Sequence, residues 1–271
     1  MPHPLVAKVG RSIATAMRLA TGVSLVLTGV SLVLMPTDAA EIRLLSAAAM
    51  QSVFKDIAGD FERTSGHKLN ITYATIGGVT QRIQAGESAD FIIGSSLNMP
   101  ALVKDGKIEG SSSLTTICKT GIGLVAPLGD AIPRVTSIEE FKRALLAARV
   151  LVYSDPVRGG AAGVHIAKVL KQLGIAQQLK SQITLGAGGD VTEVTIAQGK
   201  GALGITQNSE IVGKTTAQYV GPIPRELQNE TVFVGGIPAG STTSDAVTAL
   251  ITFLKSPTAL AAIEAKGMQV E

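Results

Sequence analysis

From residue 41 onward, short apolar runs alternate with stretches whose apolar residues recur at helical spacing, and this constrains the fold more than any single motif. Residues 41–45 read as a strand, and Met50, Val53, Phe54, Ile57 and Phe61 share one helical face until Gly66 ends the pattern. The alternation continues with strands at 68–74, 89–93, 121–126, 150–153, 202–206 and 231–237. Helical patterns fall at 78–86, 137–148, 163–173, 190–198, 244–255 and 258–266. Strands alternating with helices predict parallel sheets with helices on both faces. In such sheets ligands bind beyond the carboxyl ends of the strands, on loops that open helices.

The chain has 271 residues, too many for one ordinary core and enough for two lobes of roughly 100 to 120 residues each. It has no Trp and only 3% aromatic residues, which argues against sites built on ring stacking, such as single-stranded nucleic-acid platforms. A formal net charge of +3 argues against a binder of the nucleic-acid backbone. The single Cys118 has no partner for an internal disulfide, and no C-x-x-C or His/Cys cluster offers a metal site, so neither metal nor cofactor is expected.

The first 40 residues differ from the rest. Lys8, Arg11 and Arg18 precede an uncharged, largely apolar stretch, and small residues follow around Thr37, Asp38, Ala39 and Ala40. This is the layout of a secretory signal peptide cleaved near Ala39 or Ala40, with an uncleaved anchor as the alternative. The mature protein is then expected in the periplasm. Removal of residues 1–40 lowers the formal charge to +1, so any attraction for an anion must be local.

Five strand-to-helix loops are the candidate ligand loops. Ser46, Ala47, Ala48 and Ala49 follow the first strand with side chains small enough to leave backbone N–H groups uncovered, a setting for an anion, although Ser46 also reads as a simple N-cap. Thr75, Ile76 and Gly77 follow the second strand, with glycines that permit close approach, and Ser95 follows the third. The fourth loop begins at Ser154 and Asp155 and contains Arg158, whose fork suits a planar carboxylate, before Gly163 enters a helix. The fifth runs from Gly186 to Asp190 and Val191, with Asp190 as an N-cap. Gly213-Lys214-Thr215 ends like a phosphate-binding loop but is not one, because Asn208 stands where its leading Gly is required.

Several short motifs, in order, resemble the molybdate-type periplasmic solute-binding proteins: Asp56-Ile57-Ala58 with Phe61, residues 84–91 (QAGESADF), Tyr153-Ser154-Asp155-Pro156, Leu203-Gly204-Ile205 and Ser256-Pro257. The resemblance implies the type II periplasmic-binding-protein fold, α/β with two lobes, each a mainly parallel sheet flanked by helices. It places lobe one at 41–118 and 232–271, lobe two at 119–231, and a hinge of two crossover strands between them. It also implies a monomer that holds a small anion between its lobes and delivers it to an ABC permease of the inner membrane.

Alignment on Asp56-Ile57-Ala58 puts Ala49, Ile76 and Gln207 where the molybdate binders carry hydroxyl side chains. The resemblance therefore implies an oxyanion such as molybdate held by backbone donors, or a small di- or tricarboxylate clamped by Arg158. The alternative reading is an enzyme similar to aconitate isomerase, which interconverts the cis and trans forms of a tricarboxylate. There Arg158 is the clamp and His165, Asp155 or Tyr153 the candidate base. A purely structural or interaction module finds no repeats or charge blocks in its favour.

Overall fold

The computed structural model describes residues 39–241 and 244–270. The leader expected at 1–40 therefore lies almost wholly outside the described residues.

Two five-stranded mixed sheets organise the chain. The first half of the chain supplies β1 (Glu41–Ala47), α1 (Gln51–Ser65), β2 (Lys68–Ala74), α2 (Ile76–Gln84), β3 (Phe91–Ser95), α3 (Met99–Lys104), β4 (Thr115–Thr120), β5 (Ile122–Pro127) and α4 (Ile138–Ala147). The second half adds β6 (Val150–Ser154), α5 (Ala161–Gln172), α6 (Ala176–Leu179), β7 (Ile183–Gly186), α7 (Val191–Gln198), β8 (Ala202–Gln207), β9 (Ala217–Pro222), β10 (Thr231–Gly236), α8 (Ser244–Leu254) and α9 (Pro257–Ala265).

The first sheet runs β2-β1-β3-β10-β4 and the second β7-β6-β8-β5-β9. In each, three consecutive strands pair in parallel, and one strand, β10 or β5, runs against its neighbours. Each sheet is thus mainly parallel. β1 shows why: its burial is near-continuous from Leu44, as a strand covered on both faces requires.

One face of the first sheet packs Ile42, Leu44, Phe91 and Phe233 against the apolar stripe of α1 (Val53, Phe54, Ile57, Phe61) and against Val247, Leu250 and Ile263 of α8 and α9. Its other face carries Leu45, Ile92 and Val234 against Val79, Ile83 and Leu102 of α2 and α3. The second sheet repeats the plan, with Leu151 and Ile205 packed against Phe141, Leu145, Ile166 and Leu170 of α4 and α5. Helix ends follow ordinary capping rules: Ser137 and Ser256 cap α4 and α9, and Gly66 takes a left-handed conformation (φ 77°) to stop α1.

The chain passes between the sheets twice, from β4 to β5 through Gly121 and from β9 back to β10. Gln228 ties these segments together: its Oε1 accepts from Ile122 N (2.7 Å) and its Nε2 donates to Ile122 O (2.9 Å). A side-chain amide satisfying both polar groups of one residue sets the position of one crossover against the other.

Candidate functional site

The carboxyl ends of β1, β2, β6, β7 and β8 face a common space between the two sheets. Ala47, Ala48 and Ala49 line it after β1, Thr75 and Ile76 after β2, Ser154 and Gly160–Ala162 after β6, Gly188 and Gly189 after β7, and Thr206, Gln207 and Glu210 at the end of β8. Ala48 and Ala49 open the short turn running into α1, Ile76 opens α2, and Ala161 and Ala162 open α5. First-turn N–H groups have no acceptor in their own helix and stand at its positive end. Three such ends therefore converge on one enclosure walled mostly by Ala and Gly. None of its lining residues is Lys, Arg or His.

The enclosure is small. The space open to the centre of a water-sized sphere is about 30 Å³. That is a ball of roughly 1.9 Å radius, which leaves room for a body of about 3.3 Å radius once the water radius of ~1.4 Å is added back. This is the scale of one tetrahedral oxyanion or carboxylate group.

The lobes meet around it through direct contacts. Gly77 N donates to Gly159 O (3.0 Å), the Thr75 hydroxyl donates to Arg158 O, and Ser52 Oγ donates to Ser209 O (2.8 Å). At the crossovers Gln207 Nε2 donates to Thr231 Oγ1 (2.9 Å). Gly77 and Gly159 are so close that a Cβ built on either falls 2.8 or 2.7 Å from the other's Cα. Glycine is required at both points of approach.

Glu210 is the ionisable side chain of this enclosure. It is half-buried, its carboxylate accepts from the Thr206 hydroxyl, and its backbone carbonyl accepts from Thr192 Oγ1 (2.8 Å). Burial pushes its carboxyl up to about 7, against the downward pull of Thr206 and Lys214, and Glu193 and Asp190 add small upward effects.

The structure brings Ala47, Ala49, Thr75, Ile76, Ser154 and Gln207 to the enclosure wall. The other residues singled out by sequence are elsewhere. Ser46 is fully buried within β1 and donates to Ala47 O (3.2 Å). Gly163 donates its N–H to Ser154 Oγ (3.1 Å), and a Cβ there would lie 1.9 Å from Ser154 O, so its role is close packing. Val191 is buried at the start of α7. Asp190 sits at the N-cap position, yet its carboxylate turns back to accept from Ala187 N (3.1 Å) and Gly188 N (2.9 Å).

The proposed clamp and bases also point away. Arg158 reaches Ala187 O (3.3 Å) with its guanidinium and offers the cleft only its carbonyl. Asp155 accepts from Val157 N (2.9 Å) in its own turn, and Tyr153 belongs to the second-lobe core, its hydroxyl pushed up by burial and by Asp155. Gly77, Ser95 and His165 line a separate groove on the outer side of the lobe contact, where His165 Nε2 pairs with Leu227 O (2.7 Å). Sequence reasoning missed Glu210 and Thr206, whereas Ala161 and Ala162 fall inside the fourth candidate loop. The available signal for the two was position alone: Thr206 lies at the end of a strand of the alternating pattern and Glu210 just beyond it.

Residues 42–269 match the model of the bacterial extracellular solute-binding proteins. The chain belongs to this family. Among relatives of this solute-binding protein, an aconitate isomerase of a Pseudomonas species is 26% identical over 236 residues, 84% of this chain and 87% of that protein. The molybdate-binding protein ModA of Azotobacter vinelandii is 27% identical over 245 residues, 88% of this chain and 94% of the relative. The solved structure of an Azotobacter vinelandii periplasmic molybdate-binding protein superposes with a TM-score of 0.71 at 19% identity, over 85% of this chain and 99% of the other. That likeness shows the two-lobed type II fold.

Proposed function

We propose that this solute-binding protein captures a small oxyanion or carboxylate between its lobes and presents it to an ABC permease, as an exported protein whose leader, residues 1–40, is removed. The observation that carries the reading is the enclosure itself: three helix starts from both lobes converge on a space the size of one oxyanion, with no basic side chain in its wall. Backbone donors at helix starts favour a compact anion without demanding a particular side-chain geometry. The lobe boundaries at 118/119 and 231/232 fall two residues before the end of β4 (Thr115–Thr120) and one residue after the start of β10 (Thr231–Gly236), so most of each strand stays with the first lobe and the crossovers beside them act as the hinge. A micromolar receptor needs about 8 kcal/mol from contacts made in the closed form. Charge-assisted hydrogen bonds of about 1.5 to 3 kcal/mol each reach that with a handful of converging donors, after closure and desolvation costs. Thermal-shift and calorimetric titration with molybdate, tungstate, sulfate and a panel of di- and tricarboxylates test it, and no response to any of them refutes it.

A second reading, isomerisation of a tricarboxylate, draws support from the aconitate isomerase relative and from Glu210, an acid–base group that burial tunes to about 7. In this reading Glu210 moves the proton, in place of His165, Asp155 or Tyr153, and the lobes stand farther apart to admit a six-carbon ligand. Incubation with trans-aconitate and detection of the cis isomer decides it, and wild-type turnover by Glu210→Gln removes Glu210 from that role.

A further inference from the structure

Glu210 separates two spaces. Its side chain lines the enclosure, and it also lines the open groove on the side away from His165. Charged groups face it from every neighbouring element. Asp190 precedes α7 and Glu193 lies on it, Lys214 follows on the same loop as Glu210, and across the groove stand Lys55 and Asp56 of α1 and Lys266 beyond α9. Two of these three cations are engaged: Lys214 pairs with Glu193, and Lys266 with Asp56 (2.7 Å). The donor held on Glu210 itself is the hydroxyl of Thr206. An anion in a space of this size lies within a few ångströms of the Glu210 carboxyl. Two negative charges at that separation in a partly dry site repel strongly, whereas a protonated carboxyl donates a hydrogen bond to the anion.

We propose that Glu210 determines which anions the enclosure takes by sharing one proton with the captured anion. An oxyanion enters either carrying a proton that the Glu210 carboxylate accepts as a hydrogen bond, or fully ionised and accompanied by a proton drawn through the groove onto Glu210. The bound complex is the same in both cases. The cleft thereby favours weakly acidic oxyanions and carboxylates that hold a proton near neutral pH, and it releases fully ionised anions as the medium turns alkaline. This inference rests on the anion-capture reading.

The test is calorimetric titration of the mature wild-type protein and Glu210→Gln with molybdate and with sulfate, both fully ionised from pH 6 to 9, in buffers of different ionisation heat. Wild type is expected to take up close to one proton per anion at pH 8, and its affinity to fall about tenfold per pH unit above 7. The amide of Glu210→Gln donates at every pH, so its affinity is expected to be flat and its proton uptake nil. Binding by wild type with no proton uptake and no pH dependence overturns the inference alone, as does a Glu210→Gln protein that keeps the slope. Failure of wild type to bind either anion or any ligand of the wider panel sinks the capture reading and this inference with it. The wild-type proton count stands even where the variant folds poorly.

Discussion

The proposed closure of the lobes depends on the approach of Gly77 to Gly159, and Gly77→Ala tests it with one methyl group. The new Cβ would lie 2.8 Å from Gly159 Cα, 3.2 Å from Arg158 O and 3.3 Å from Gly159 O. The first of these is roughly 0.7 Å inside the optimum carbon–carbon separation. All three opposing atoms are backbone, so no side chain can swing aside. Relief requires the lobes to part, which stretches the Gly77 N to Gly159 O bond of 3.0 Å and the neighbouring bond from Thr75. Lost hydrogen bonds contribute about 1 kcal/mol each and overpacking about 1 to 3 kcal/mol. With the closed form destabilised by about 1 to 3 kcal/mol, the Kd for a captured anion rises roughly 5- to 150-fold. The substitution lies in the first turn of α2, where Ala is at least as good a helix former as Gly, so the ligand-free protein should unfold at or slightly above the wild-type temperature. Calorimetric titration with whichever anion wild type binds, beside thermal unfolding without ligand, separates the outcomes. Wild-type affinity refutes the claim that this contact belongs to the anion-bound form. A matching loss of ligand-free stability would mean that the contact supports the fold and not closure.

Three further outcomes follow from the same geometry. Gly59 lies mid-helix on α1, where an added Cβ would meet nothing within 4 Å, so Gly59→Ala should stabilise by about 0.5 to 1 kcal/mol with ligand affinity unchanged, measured by urea unfolding. The folded state holds the Glu210 proton more tightly than the unfolded chain, whose carboxyl titrates near 4.5, so this group's contribution falls as pH rises from 4.5 to about 7 and is fully unfavourable above that. Glu210→Gln should therefore gain stability over wild type across that window, by roughly 2 to 4 kcal/mol in all, and a pH-independent difference would contradict the burial argument. Cys118 is fully buried beside Met50 and Met268, and burial pushes its thiol up to about 12. It should resist alkylation at pH 8 until the protein is unfolded, and rapid labelling of the native protein would show that the first-lobe core opens.

The expected elements and the observed ones agree where burial is two-sided and local sequence is consistent. β6 and β8, inner strands buried along nearly their whole length, begin at the residues that the apolar runs mark, and α1 follows the apolar spacing of Val53, Phe54, Ile57 and Phe61. The strands that escape the pattern lie at sheet edges: β4, β7 and β9 each have one neighbour, and partly exposed Thr, Gln and Gly residues blur their periodicity. α3, six residues long and opening on Met99-Pro100, offers too few turns for a helical period to show.

The site divides along a different line. Its wall was legible where small residues stand at the end of a parallel strand: Ala47 and Ala49 line the enclosure although neither carries a polar side chain. It was illegible where function depends on the direction of a side chain. Arg158 and His165 have the chemistry of a clamp and a base, but nearby carbonyls at Ala187 and Leu227 satisfy them and turn them away. Glu210 presents the converse. In sequence it is one acid among 21 Asp and Glu, close only to Lys214 and ordinary in every local respect. Its distinction arises from three-dimensional placement: the end of β8 turns it into the cleft, Thr206 engages it, and Ala48 of the opposite lobe closes the same enclosure. A property created by lobe closure has no counterpart in local periodicity. For the same reason it should vanish when the lobes separate, so the Glu210 carboxyl should titrate nearer the ordinary range in Gly77→Ala than in wild type, coupling the proton to the closing motion itself.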